Sequence, residues 1–136
     1  MKLIKVPYTE LNARQQENYN YHKIASDLAE YGYSCMWLND DWQGADFIAN
    51  HIDGNSFLRV QLKGRPTISK KYQGKNIYIA FRFNNVSYLY HHDDFLIFVS
   101  KEMPSTLESP SWVDNGGFSW KQPTHKILGF LEEFQL

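Results

Sequence analysis

Two short stretches carry polar residues where an apolar pattern leads one to expect none. In Gly44-Ala45-Asp46-Phe47-Ile48 an acid opens an apolar run, and Leu58-Arg59-Val60-Gln61-Leu62-Lys63 alternates apolar and polar residues to its end. Alternate residues of a strand share a face, so Arg59, Gln61 and Lys63 lie together, opposite Leu58, Val60 and Leu62. Asp53-Gly54-Asn55-Ser56 has the composition of a hairpin turn. Pairing through that turn sets Asp46 across from the Gln61–Lys63 end. A carboxylate, an amide oxygen and an ammonium then converge at one edge of a sheet, with the Leu62 backbone carbonyl between them. The chemistry that uses such a set is metal-assisted phosphodiester hydrolysis. Mg²⁺, or Mn²⁺ in its place, takes hard oxygen ligands and polarises a phosphoryl group. A lysine on the same face orients a nucleophile or stabilises developing negative charge.

The elements that must position these residues are readable around them. Asn12 and Gln15 form a capping-box pattern at the start of a helix over 11–31. Tyr21, Ile24, Ala25 and Leu28 recur at helical spacing as its inward stripe, and Gly32 is a natural stop. Glu17 lies one turn before Tyr21 and is a candidate further metal ligand. A strand over 33–38 is expected next, then a polar loop over 39–44, strands over 46–52 and 57–63, and a basic loop. Strands over 77–83 and 86–90 follow, joined at Asn84-Asn85. Adjacent His91 and His92 point to opposite sides of an extended segment, and Asp93 is expected to cap a helix over 94–101. Segment 102–123, rich in Ser, Pro, Gly and Trp, reads as irregular, and a helix over 124–134 closes the chain. A helix followed by a meander, further strands and helices implies an α+β sandwich on a central mixed sheet. No Gly-rich phosphate loop is present.

An acid on the first helix, an Asp opening the second strand and an acid-x-Lys closing the third resemble the PD-(D/E)XK nuclease superfamily. The matching residues are Glu17, then Gly44-Ala45-Asp46-Phe47, then Val60-Gln61-Leu62-Lys63. The order of elements over 11–83 also resembles that of Holliday-junction resolvases and restriction-endonuclease-like proteins. The resemblance implies an αβββ core flanked by helices and a catalytic set of Asp46, Gln61 and Lys63. It further implies an Mg²⁺ or Mn²⁺ held by Asp46, Gln61, Glu17 and the Leu62 carbonyl, with DNA as substrate. Two positions depart from the family pattern. Ala45 replaces a proline, which matters little, and Gln61 replaces a Glu or Asp, leaving the site one negative charge short.

Composition bounds the remainder. The 136 residues suffice for one domain. At 43% hydrophobic and 21% charged, the chain has the balance of a soluble globular protein. No apolar run approaches the roughly 20 residues of a membrane span, and the first residues do not read as a signal peptide. A single cysteine, Cys35, excludes an intrachain disulfide and fits a cytoplasmic protein. Net charge is −1, yet Arg59, Lys63, Arg65, Lys70, Lys71 and Lys75 are six of the fourteen basic residues, with no acid among them. Such a block reads either as a solvated loop or as a footprint for a nucleic-acid backbone, in the second case with Arg59, Arg65, Lys70, Lys71 and Lys75 as contacts. Nothing in the sequence excludes RNA, and it leaves open whether two copies pair as a homodimer. Two other functions compete with a small nuclease. One is a catalytically inactive module of the same fold that binds nucleic acid or a protein. The other is a structural partner whose interface is the aromatic tail around Trp112 and Trp120.

Overall fold

The computed structural model describes residues 1–136. The first long element, α1 (Ala13–Ala29), starts where the sequence predicts. The Asn12 side chain accepts from the Gln15 N–H at 2.9 Å, and the Gln15 side chain accepts from the Asn12 N–H at 2.9 Å. Tyr21, Ile24 and Leu28 are its buried face, and burial of an Ile or Leu side chain contributes roughly 1.5–3 kcal/mol. Gly32 has φ +85°, and a Cβ there would stand 3.0 Å from His51 Nε2, so both backbone and space require glycine.

Three antiparallel strands follow: β1 (Tyr33–Trp42), β2 (Ala45–His51) and β3 (Phe57–Leu62). The first runs beyond the expected 33–38, because the stretch read as a polar loop continues the strand to Trp42. The turn is only Gln43-Gly44, both at positive φ (55° and 87°), as a two-residue hairpin requires. Asp41 fixes it by accepting the Gly44 N–H at 2.9 Å. The register slips between Trp37 and Trp42, which absorbs the longer arm. Consequently Asp46 is the second residue after a tight turn. The β2–β3 turn is the predicted one. Asp53 accepts from Asn55 N–H and Ser56 N–H at 2.8 Å each and from Ser56 Oγ at 2.6 Å, which holds its carboxyl well below the usual range.

The chain then passes through β4 (Thr67–Ser69) and a 3₁₀ turn at Lys70–Tyr72 before β5 (Ile77–Phe83), which pairs parallel with β3. Strand β6 (Val86–His91) returns antiparallel through Asn84-Asn85, both at positive φ. The sheet order is β1-β2-β3-β5-β6. This is a mixed α+β fold, with an αβββ unit and a five-stranded mixed sheet flanked by helices. One sheet face packs Phe47, Ala49, Val60 and Ala80 on α1. The other packs Ile48, Ile77, Ile79, Phe81 and Tyr90 on residues of α2 (His92–Glu102) and α4 (His125–Leu131). No helix is long and apolar enough to cross a membrane.

Segment 102–123 is more regular than expected. It holds a 3₁₀ turn (Pro104–Glu108), α3 (Pro110–Asn115) and β7 (Gly117–Ser119), and β7 pairs antiparallel with β4 as a second, two-stranded sheet. The aromatic rings turn inward: Trp112 is buried, and Trp120 packs edge-on to Phe95 at 5.7 Å. The basic stretch after β3 is therefore a clamped strand and turn rather than an open loop.

The clamp is His92. Asp93 does not cap α2, whose N-cap is His91 without a side-chain bond. Asp93 instead accepts from Gly74 N–H at 2.9 Å and from His92 Nδ1 at 2.9 Å. His92 is fully buried, and its Nε2 accepts the Ser69 N–H at 3.0 Å. One imidazole thus ties β4 and the Lys70–Tyr72 turn to the start of α2. Burial pushes its pKa down, against the raising effect of Asp93. The unfolded chain then binds a proton that the folded chain resists. Stability is full above the ordinary histidine value of about 6.5 and is lost as pH falls from there through the folded pKa. Urea unfolding of wild type should weaken below about pH 6.5, and His92→Gln should remove that part of the slope. His92→Ala should cost about 2–4 kcal/mol at pH 8, from a lost buried acceptor and the space it leaves. Identical pH slopes for wild type and His92→Gln would refute the clamp.

Candidate functional site

Strand β2 opens at Ala45, which is fully buried, so the next side chain, Asp46, starts the strand on its other face. The β2–β3 ladder ends at Phe47↔Val60, and Asp46 and Gln61 each lie one residue beyond it. Asp46 Oδ2 accepts the Leu62 backbone N–H at 2.8 Å, and Lys63 N–H donates onward to the Ala80 carbonyl of β5 at 3.0 Å. Two successive amides at the end of β3 are therefore held from opposite sides. One is held by a side chain of β2 and the next by the backbone of β5, and Lys63 follows at a defined point.

Asp46 is half-buried, and its pKa is raised chiefly by that burial. The Leu62 N–H and the Lys63 ammonium pull it down, while the Glu17 and Asp41 carboxylates push it up. Lys63 is also half-buried. Its pKa is lowered by burial first and by the Lys71 ammonium second, with Asp46 acting the other way. Each group is thus held in the environment that most resists its charge. Lys63 Nζ lies 5.5 Å from the Tyr72 ring centroid and Lys71 Nζ 5.1 Å from the same ring. Tyr72 is buried, and its hydroxyl is pushed up to about 12 by burial and by the Asp46 and Asp41 carboxylates. It stays neutral, as a floor for two cations.

Lys63 stands between two clefts. One, of about 210 Å³, is lined by Gln16, Glu17, Asn20, Leu62 and Lys63. The other, of about 250 Å³, takes in Lys63, Lys71, Tyr72 and Ser119. Glu17 is exposed on α1 and also borders the largest cleft, about 730 Å³ beside Trp37.

The structure brings Asp46, Gln61, Leu62 and Lys63 together at one end of the sheet, with Glu17 across the smaller cleft. No three His, Cys, Asp or Glu side chains converge closely enough to hold a metal by themselves. A hard cation here would rest on Asp46 Oδ1, the Gln61 amide oxygen and the Leu62 carbonyl, with Glu17 reaching from α1. These are all oxygen donors, a set that suits Mg²⁺ or Mn²⁺. Of the proposed nucleic-acid contacts, Arg65, Lys70, Lys71 and Lys75 are exposed. Arg59 is not free: its guanidinium lies 5.0 Å from the Trp42 ring and 5.9 Å from Phe57, and donates to the Lys75 carbonyl at 3.1 Å. Lys70 sits over Trp112 at 5.3 Å. Tyr72 is the site residue that sequence reasoning missed. A lone Tyr after two lysines carries no local signal, and only the fold sets it under Lys63. Cys35 lies apart, its thiol pushed up to about 11 by burial, and is unreactive.

The raised pKa of Asp46 has a sign that can be tested. A carboxylate whose folded pKa exceeds its unfolded value contributes stability below the unfolded pKa, and this is lost as pH rises through the folded pKa. At pH 7 the ionised group therefore costs stability, and Asp46→Asn, which keeps an oxygen for the Leu62 N–H, should raise the melting temperature. At pH 3 the two proteins should melt together. A lower melting point for Asp46→Asn at pH 7 would mean that the carboxylate is a structural bond and not a group held ionised against burial.

No protein-family model matches the chain, and no curated protein matches it. Among solved structures, the chain is similar to a bacterial homing endonuclease at 11% identity and a TM-score of 0.47, over 62% of this chain and 69% of that one. A likeness of that size settles neither fold nor activity, which rest here on the geometry alone.

Proposed function

We propose that this chain is a small metal-dependent nuclease that hydrolyses DNA phosphodiesters at the Asp46–Gln61–Lys63 edge of its sheet. The observation that carries the reading is the pairing of a half-buried carboxylate with a half-buried ammonium, neither neutralised by an ion pair. The chain's one Arg–carboxylate pair is Arg82–Asp27, its three other close contacts of this kind join histidines to aspartates, and every lysine is left out. Groups kept charged against burial are a common mark of a functional site, and Lys63 lines two clefts beside Asp46.

Bound Mg²⁺ or Mn²⁺ would supply Lewis-acid polarisation of the phosphoryl group. The chain's own residues do the rest. Asp46 offers Oδ1 while Oδ2 stays bonded to Leu62, so its orientation is set before any ligand arrives. Lys63 presents its ammonium to negative charge developing on the phosphate, and the Tyr72 ring beneath holds it there. Exposed Arg65, Lys71 and Lys75 contact the backbone and make binding salt-sensitive. The second reading, an inactive binding module, draws on the neutral Gln61 and the absence of a three-carboxylate cluster.

Supercoiled plasmid and branched DNA incubated with Mg²⁺ or Mn²⁺ should be cut by wild type. Asp46→Ala should reduce cutting to background, and Lys63→Ala should slow it by about 10²- to 10³-fold, the loss expected for one charge-stabilising donor. Calorimetry should find divalent-ion binding in wild type and none in Asp46→Ala. Because protonation of Asp46 competes with the cation, activity should fall on the acid side at a pH above the ordinary aspartate value of about 3.9. No cutting and no ion binding by wild type would leave the binding-module reading in its place.

A further inference from the structure

The cleft on the far side of Lys63 differs in character from the one that borders Glu17. It has no carboxylate in its lining, and two lysines, Lys63 and Lys71, face it. Their ammoniums share the face-forming ring of Tyr72 at 5.5 and 5.1 Å, and neither enters an ion pair. Three of the surrounding hydroxyls are already committed to backbone carbonyls: Thr67 donates to Arg65, Ser69 to Gly116 and Ser111 to Gly117. The side-chain donors not committed elsewhere are the two ammoniums and the Ser119 and Tyr72 hydroxyls. The walls are fixed, since β4 and β7 pair across the cleft and His92 holds Ser69 from behind. Like charges converging on a rigid concavity repel unless an anion sits between them.

We propose that this cleft of about 250 Å³ is an anion site that binds a phosphate group through Lys63, Lys71 and Ser119. Given the nuclease reading, on which this part of the inference rests, the phosphate belongs to the nucleic acid and lies beside the bond that is cut. Lys63 then borders both the scissile position and the neighbouring phosphate, and Lys71 is a specificity residue that seats the strand. The phosphate has two sources, an internal diester of a continuous strand or a terminal monoester, and the chemistry of recognition is shared.

Titration of the metal-free protein with inorganic phosphate at low ionic strength, followed by calorimetry and by NMR of the lysine ammonium groups, tests the site without any cleavage. Wild type should bind, with shifts at Lys63 and Lys71. Lys71→Ala, an exposed position whose loss leaves the core intact, should weaken binding by about tenfold or more, as one charge-assisted contact implies, and Lys71→Arg should largely restore it. Asp46→Asn, which keeps an acceptor for the Leu62 N–H, should leave phosphate binding in place. Unchanged binding in Lys71→Ala, or no binding by wild type, would overturn the proposal. Phosphate binding in a protein that never cuts DNA would retain the anion site and remove the nuclease reading. Short duplexes with and without 5′- or 3′-phosphates separate the sources. If only phosphorylated ends depend on Lys71, the ligand is a terminal monoester, and an equal loss for all duplexes identifies an internal diester.

Discussion

The backbone N–H of Leu62 donates to the Asp46 carboxylate at 2.8 Å, and the arrangement of the site hangs on that bond. At the end of β3 the backbone ladder with β2 has already stopped, its last pair being Phe47↔Val60, so the Leu62 amide turns to a side chain on that side. A buried amide without an acceptor is costly, and the side chain of Asp46 takes the place of the missing carbonyl. The next amide, that of Lys63, finds its acceptor on β5. The chain is thereby pinned on both sides at the residue before the lysine and at the lysine itself. A tight turn, a carboxylate and a strand end are parts of one device, and it fixes a negative and a positive side chain at one end of the sheet.

The cost of that device is visible in the ionisation of its members. Burial raises the pKa of Asp46 and lowers that of Lys63, so the fold spends stability to keep them charged. What compensates lies on both sheet faces. The α1 side contributes a core of Ile24, Leu28, Phe47 and Val60, and the α2–α4 side a larger one. The tail is part of the same economy. By pairing β7 with β4 and turning Trp112 and Trp120 inward, it converts a six-lysine-and-arginine stretch from a solvated loop into a wall. Lysines on a wall have defined positions, and defined positions are what phosphate recognition needs.

Features encoded locally were legible in the sequence. The capping box at Asn12–Gln15, the Asp53-Gly54 turn, the Asn84-Asn85 turn and the bounds of Ile77–Phe83 each follow from a few adjacent residues. From these, the facing of Asp46 to the Gln61–Lys63 end could be inferred. What escaped depends on distance along the chain. Ser69 and His92 are 23 residues apart, and β4 meets β7 over three pairs far along the chain. Neither strand is long enough to carry an alternation, and a histidine beside an Asp-rich helix start reads most simply as a strand end running into an Asp cap. The extension of β1 to Trp42 was hidden because Asn39-Asp40-Asp41 has loop composition. There the tertiary context overrides propensity, with the Trp42 ring covering the Arg59 guanidinium at 5.0 Å. Arg59 itself was misjudged for the same reason, since its charge is visible in the sequence and the two rings that enclose it are not.

Gln61 gains a physical rationale from this charge balance. Asp46 and Gln61 each lie one residue beyond the last β2–β3 pair, Phe47↔Val60, and Glu17 and Asp41 already oppose ionisation of Asp46. A carboxylate at 61 would add a further like charge at this end of the sheet, which is destabilising, and would push Asp46 further toward its neutral form. An amide supplies an oxygen at the same place without that repulsion. Under the proposed reading, the site would bind a cation less tightly than one with two facing acids and would repel an approaching phosphate less. With Lys63 and Lys71 outside any ion pair beside it, the local field would favour an anionic ligand.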